Sequence, residues 1–234
     1  MATPLSARDR LIVALDVADC ASAERLAGML AGHVGVFKIG LELAMSGGID
    51  LARELAGDGH KVFLDLKLLD ISNTVTKAVE NAAGQGFAFL TIHAYPAAMR
   101  AAVAGLGNSD LCLLGVTVLT SLNAADLVEA GYSDSPEALV VKRAQAARET
   151  GMGGIVCSPQ EVAAVRARVG DGLRIVTPGV RPAGSDTGDQ KRIATPASAI
   201  GSGADYLVVG RPITQSADPI EAADAIVAEI ASAP

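Results

Sequence analysis

Tryptophan is absent from the 234 residues, and aromatic side chains make up only 3% of them. A core built by this chain must therefore be packed mainly from Ala, Val, Leu and Ile. Cysteine is scarce as well. Cys20, Cys112 and Cys157 are odd in number, scattered and without a CxxC pair. That argues against a disulfide framework or a Cys-ligated zinc site and fits a reducing compartment. No apolar stretch approaches the roughly 18–20 residues of a membrane span. The opening "MATPLSARDR" has no apolar segment of the secretory kind. A cytoplasmic location is the expectation. There is no basic run either: 19 basic side chains face 26 acidic ones, for a net charge of −7. No nucleic acid and no membrane is therefore expected as a partner. A small anionic substrate is compatible, because a few local Arg and Lys suffice.

Half of the residues are hydrophobic, enough for a large core. Short apolar runs alternate with longer Ala-rich amphipathic segments. Strands are expected at about 10–16, 36–40, 61–67, 87–93, 111–119, 153–157, 173–177 and 205–209. Helices are expected at about 20–33, 41–56, 72–84, 96–105, 123–130 with 136–150, 159–169, 195–201 and 218–232. The apolar runs are nearly continuous, as in parallel strands covered on both faces. Asp19, Ser158 and Thr195 stand where helix caps belong. This alternation predicts an α/β chain folded as a single-domain (β/α)8 TIM barrel over 1–234. A doubly wound open sheet is the rival, but no GxGxxG or GxxxxGK[ST] follows the first strand. The longest irregular stretch is 178–192, "PGVRPAGSDTGDQKR", a candidate binding loop or lid.

Active sites of such barrels lie at the C-terminal ends of the strands. Polar residues gather at those ends. Asp16 ends the first strand, Lys38 sits near the end of the second, and Asp65 and Lys67 end the third. His93 ends the fourth, Thr120 and Ser121 follow the fifth, Arg181 the seventh, and Gly210 with Arg211 the eighth. Strand alternation puts Phe63, Asp65 and Lys67 on one face and Val62, Leu64 and Leu66 on the other. With the apolar face toward the helices, Asp65 and Lys67 point into the barrel mouth. Asp16 and Lys38 reach the same rim, giving an alternating Lys–Asp–Lys array. Asp70 lies beyond the strand, and Asp70 and Thr74 share a helical face that need not look into the same mouth. "GVRP" and "VGRP" place Gly beside Arg after strands seven and eight, a common phosphate position in barrels.

Blander readings exist for each. Asp65 and Lys67 could be a structural ion pair, Asp70 a helix cap near Ser72, and Asp16 a turn residue. Lys38 could snorkel to solvent, and Arg181 could face water. His93 suits a supporting hydrogen bond, His33 and His60 a solvated surface, and Cys112 and Cys157 the core.

Taken together, "ALDV", "FKIG", "LDLKLLDISNTV", "TIHAY", "VTVLTS", "TPGVRP", "GDQKR" and "VVGRPI" occur in this order along nearly the whole chain. In this the sequence resembles the bacterial orotidine 5′-phosphate decarboxylases. D-x-K-x-x-D alone is shared with sugar-phosphate enzymes of the superfamily; its extension by I-x-x-T-V, with GVRP and VGRPI, is more specific. Ser72 departs from the Pro frequent there. The resemblance implies decarboxylation of orotidine 5′-monophosphate (OMP) to UMP and CO2 in de novo pyrimidine biosynthesis, with no metal and no cofactor. It implies Lys67 as the proton donor to C6, Asp65 beside the substrate carboxylate, and Lys38 and Asp16 at the array and the ribose. Thr120 and Ser121 would contact the base, and Gln190 the base and phosphate. Pro178 falls within the substrate-binding set, and Arg181, Gly210 and Arg211 would hold the phosphate. It further implies a homodimer in which Asp70, Ile71 and Thr74 complete the neighbour's site. The rivals are a metal-dependent sugar-phosphate decarboxylase or aldolase, and a non-catalytic nucleotide-binding paralogue.

Overall fold

The computed structural model describes residues 5–182 and 194–233. Eight parallel strands close into a barrel in sequence order: β1 Leu11–Ala14, β2 Val36–Gly40, β3 Val62–Leu68, β4 Phe89–His93, β5 Cys112–Val116, β6 Gly154–Val156, β7 Arg174–Thr177 and β8 Tyr206–Val209. Closure is made by β8 against β1, with Leu11 opposite Leu207 and Val13 opposite Val209. The helices are α1 Cys20–Leu30, α2 Leu41–Leu43, α3 Ile49–Gly57, α4 Ser72–Ala83, α5 Pro96–Leu106, α6 Ala124–Glu129, α7 Pro136–Thr150, α8 Val162–Val169, α9 Pro196–Gly201, α10 Arg211–Thr214 and α11 Pro219–Ala231. The expected TIM-barrel architecture is the one observed. Among the described residues no helix is long and apolar enough to cross a membrane.

Strand parity divides the core in two. Val13, Ile39, Leu64, Leu90, Leu113, Ile155, Ile175 and Leu207 pack outward against the helices. Ile12, Val36, Phe63, Phe89, Leu114, Val176, Tyr206 and Val208 fill the barrel itself. With so few aromatics, three of them are concentrated there. Phe89 meets Phe63 edge-on at 5.8 Å and Tyr206 at 5.2 Å between ring centroids, an arrangement that the ring quadrupoles favour. The barrel is thus packed below, and only its upper end is left to polar side chains.

Several elements differ from the sequence expectation. The helix expected over 41–56 is broken: Ser46 and Gly47 leave helical geometry, with Gly47 at φ 94°. Only glycine adopts that conformation without strain. At Gly48 a Cβ would stand 2.6 Å from the Leu43 carbonyl oxygen, so the chain folds too tightly there for any side chain. α10, not foreseen, occupies the turn after β8. The capping residues act as expected: Asp19 accepts from the Ser22 amide at 2.8 Å, and Thr195 caps α9. Ser158 and Glu161 bond each other's backbone amides. His33 and His60 are not simply solvated. His33 Nδ1 lies 2.8 Å from Asp224, and His60 stands edge-on to Phe37. The three cysteines form no disulfide with one another. Cys157 is buried, and burial pushes the partly buried Cys112 thiol up to about 11.

Candidate active site

The inward parity of each strand continues upward from the packed interior. Above Ile12 and Ala14 comes Asp16; above Val36 comes Lys38; above Phe63 comes Asp65; above Phe89 comes Thr91. Apolar side chains therefore form the floor and polar ones much of the wall of a cavity of about 470 Å³ at the C-terminal ends of the strands.

Four charges form a continuous array in it. Lys38 Nζ donates to Asp16 Oδ1 at 2.9 Å and lies 3.5 Å from Asp65 Oδ2. Lys67 Nζ donates to Asp65 Oδ1 at 2.8 Å. Lys38 is only 5% exposed, so it does not snorkel; its charge is neutralised in place by two carboxylates. Asp16 is Lys38's partner rather than a bare turn residue. Burial pushes the Asp65 carboxyl upward. Lys38, Lys67 and hydrogen bonds from Lys67 and Thr91 outweigh that, and it sits below the usual carboxylate range. Asp65 is thus ionised at neutral pH, with an ammonium on either side.

Lys67 does not reach the mouth by the simple alternation expected. The register between β3 and β4 slips, from Leu64 opposite Leu90 to Leu68 opposite Ile92. Lys67 sits in this bulge at φ 50°, the single non-glycine residue with positive φ among those described. Such a conformation is costly for a side chain with a Cβ and persists only where its surroundings hold it. Thr91 does the holding. Its fully buried hydroxyl accepts from the Lys67 amide at 2.9 Å and donates to Asp65 Oδ1 at 3.0 Å. The sequence reading missed Thr91, although a polar residue between Leu90 and Ile92, two before His93, was a signal.

Gly40 was also missed. It pairs with Asp65 in the sheet, and a Cβ there would lie 2.8 Å from Asp16 Oδ1 and 3.0 Å from Lys38 Nζ. The absent side chain leaves room for the ion pair. Glu42 and Gln215 also line the cavity and were not foreseen.

Of the expected residues, Thr120, Pro178, Arg181, Gly210 and Arg211 line the same cavity as the array. Arg181 is 8% exposed rather than turned to water. Val180 bridges Ala194, and the Arg181 amide donates to the Ala194 carbonyl at 3.0 Å. Arg211 opens α10 directly after Gly210. Ser121 is exposed and does not line the cavity. Gln190, and all of the 178–192 stretch beyond Pro182, lie outside the described residues.

Asp70, Ile71 and Thr74 stand apart from this cavity, exposed on the outer surface. Asp70 is not the cap of α4. Ile71 holds the capping position without a side-chain bond, and Asp70 Oδ1 accepts the Ile71 amide at 2.6 Å. His93 borders a separate cleft with Tyr95 and Arg143. Its imidazole is held below its ordinary value by burial and by the nearby positive charges of Lys67 and Arg143. Among the described residues no group of three or more His, Cys, Asp or Glu is arranged to hold a metal ion.

Comparison with known proteins bears on this geometry. A curated orotidine 5′-phosphate decarboxylase of Rhodopseudomonas palustris is 57% identical over 233 residues, spanning 100% of this chain and 99% of that one. The enzyme of the same name from Afipia carboxidovorans is 56% identical over 231 residues, spanning 99% and 98%. The crystal structure of orotidine 5′-phosphate decarboxylase from Lactobacillus acidophilus superposes with a TM-score of 0.82 at 36% identity, over 94% of this chain and 98% of that one. A family model matches residues 9–226, and the chain belongs to the orotidine 5′-phosphate decarboxylase / HUMPS family.

Proposed function

We propose that this protein is a carboxy-lyase that converts orotidine 5′-monophosphate to UMP and CO2, with Lys67 as the proton donor to C6. The observation that carries this reading is the Asp16–Lys38–Asp65–Lys67 array in one cavity with Arg181 and Arg211. Pyrimidine ring and phosphate need opposite chemistries, and the two groups of residues supply them. The apolar floor of Ala14, Phe63, Val116, Val156 and Val208 suits the flat face of a base. The two guanidiniums beyond it suit a phosphate.

The chemistry follows from the charges. Breaking the C6–carboxyl bond leaves its electron pair on C6, where little resonance relieves it. An ammonium fixed beside that carbon stabilises charge that exists only near the transition state. Asp65 holds the Lys67 ammonium at 2.8 Å and, placed beside the substrate carboxylate, disfavours the ground state. CO2 departs, the proton passes from Lys67 Nζ to C6, and solvent returns a proton to the amine. Lys38 and Asp16 bind the ribose, Thr120 the base, and Gln190 the base and phosphate; Ser121, expected at the base as well, is exposed outside the cavity and is given no contact. Arg181, Gly210 and Arg211 form the phosphate side, Pro178 belongs to the substrate-binding set, and phosphate binding at the 178–192 loop assists the chemistry from a distance. Asp70, Ile71 and Thr74 complete the site of a second copy. In support, Leu69 and Ile71, which flank Asp70, are 52% and 72% exposed, and apolar exposure of this kind marks interfaces.

The test is loss of OMP absorbance. Lys67→Ala should lower kcat by at least about 100-fold, the scale of a lost general acid. Equal rates for variant and wild type would sink the mechanism. Activity lost to a chelator and restored by Mg2+ would point instead to a metal-dependent sugar-phosphate enzyme.

A further inference from the structure

We infer that Arg143 is a positioning residue for the base-binding wall of the site; the inference rests on the decarboxylase reading above. Arg143 belongs to α7, outside the catalytic cavity. Its Nη1 donates to the backbone carbonyl of Thr117, at the end of β5. Its Nη2 donates to the Tyr132 hydroxyl at 2.9 Å. The guanidinium carbon lies 4.9 Å from the ring centroid of Tyr95 and 5.2 Å from that of Tyr132. The two tyrosine hydroxyls bond each other at 2.7 Å. One planar cation therefore ties together three segments: the turn after β4, the loop after β5 and the connection between α6 and α7.

The middle segment matters for the site. Thr117 is fully buried, and both its amide (3.1 Å) and its hydroxyl (2.8 Å) donate to the Val156 carbonyl on β6. Its carbonyl is the handle that Arg143 grips. The next residues, Val118 and Leu119, line the catalytic cavity on one side and a cleft of about 200 Å³, bordered by Arg143, on the other. Thr120 follows and lines the catalytic cavity. This wall is one residue thick with open space behind it, and the guanidinium holds its root. Without Arg143 the wall can settle into the cleft, and Thr120 retreats from the base. A lysine cannot replace the fork, because it cannot bond carbonyl and hydroxyl in one plane while stacking on the rings.

Steady-state kinetics with OMP test this, alongside thermal melting. Arg143→Ala should raise KM roughly tenfold with kcat changed less than about threefold, as when binding rather than transition-state contacts is lost. Millimolar guanidinium should recover part of the lost affinity. Tyr132→Phe, which removes the shared hydroxyl, should raise KM in the same direction by about two- to fivefold. Should Arg143→Ala fail to fold, Arg143→Lys decides, with KM raised at least about threefold. A lower melting temperature with KM unchanged in the folded variants would overturn the inference and leave Arg143 a purely structural residue. A wild-type protein inactive on OMP would instead overturn the functional reading on which it rests.

Discussion

Lys38 is a cation with 5% of its surface exposed, and one carboxylate would suffice to neutralise it. It has Asp16 at 2.9 Å and Asp65 at 3.5 Å, while Asp65 also holds Lys67. The array thus shares two carboxylates between two ammoniums in a partly dry site. Removing Asp65 leaves both without their shared counter-ion, a strongly destabilising change for buried charge. The effect depends on pH in a definite direction. Asp65 titrates below its ordinary 3.8 in the folded protein. Its contribution to stability is full above that value and is lost as pH falls through the lower folded value. Asp65→Asn should therefore melt well below wild type at neutral pH, and the gap should narrow as pH drops below about 4. A gap independent of pH over that range would contradict the ion-pair account.

At the scale of the element, β3 shows how a site is made from a strand that does not behave. A regular strand would carry Asp65 and Lys67 to one face. The bulge instead puts Lys67 at φ 50° and leaves its amide without a ladder partner, a role taken by Thr91. Thr91→Val keeps the volume but strands that donor. We expect a loss of ~1–3 kcal/mol in denaturant unfolding, the typical penalty for an unsatisfied buried donor. The fall in kcat should exceed any rise in KM, because the reacting ammonium is misplaced. Unchanged stability and kcat would show that the bulge holds itself. The charged residues of β3 were legible in the sequence because charges among leucines are conspicuous. Thr91 and Gly40 were not, because their meaning comes from neighbours across the sheet. A hydroxyl and a missing Cβ become informative only when strand register sets them against Lys67, Asp16 and Lys38.

At the scale of the whole molecule, closure of the barrel gathers residues as far apart in the chain as Ala14 and Gln215, with Asp16 and Arg211 among them, onto one cavity. Asp70, Ile71 and Thr74 stay exposed and outside its lining. A shared site makes a prediction that no single chain satisfies. Lys67→Ala and Asp70→Ala should each be inactive alone. After subunit exchange, half of the dimers are mixed, and each has one intact site. About a quarter of wild-type activity should return on mixing. No recovery after confirmed exchange would mean that Asp70 acts within its own chain or only structurally.

Most of the strand and helix pattern, the fold class and the charged side chains at the strand ends were determined by the sequence alone. They depend on periodicity and on the high cost of placing charge in an apolar run, and both are local. Register, closure and reach were decided only by the tertiary structure. They settled that Lys38 lies between two carboxylates, that Arg181 is buried and Ser121 is not, and that Arg143 grips the loop leading to Thr120. Each of these is a distance between segments far apart in the chain. Such distances follow from how the strands pack around one barrel, which no stretch of sequence carries by itself.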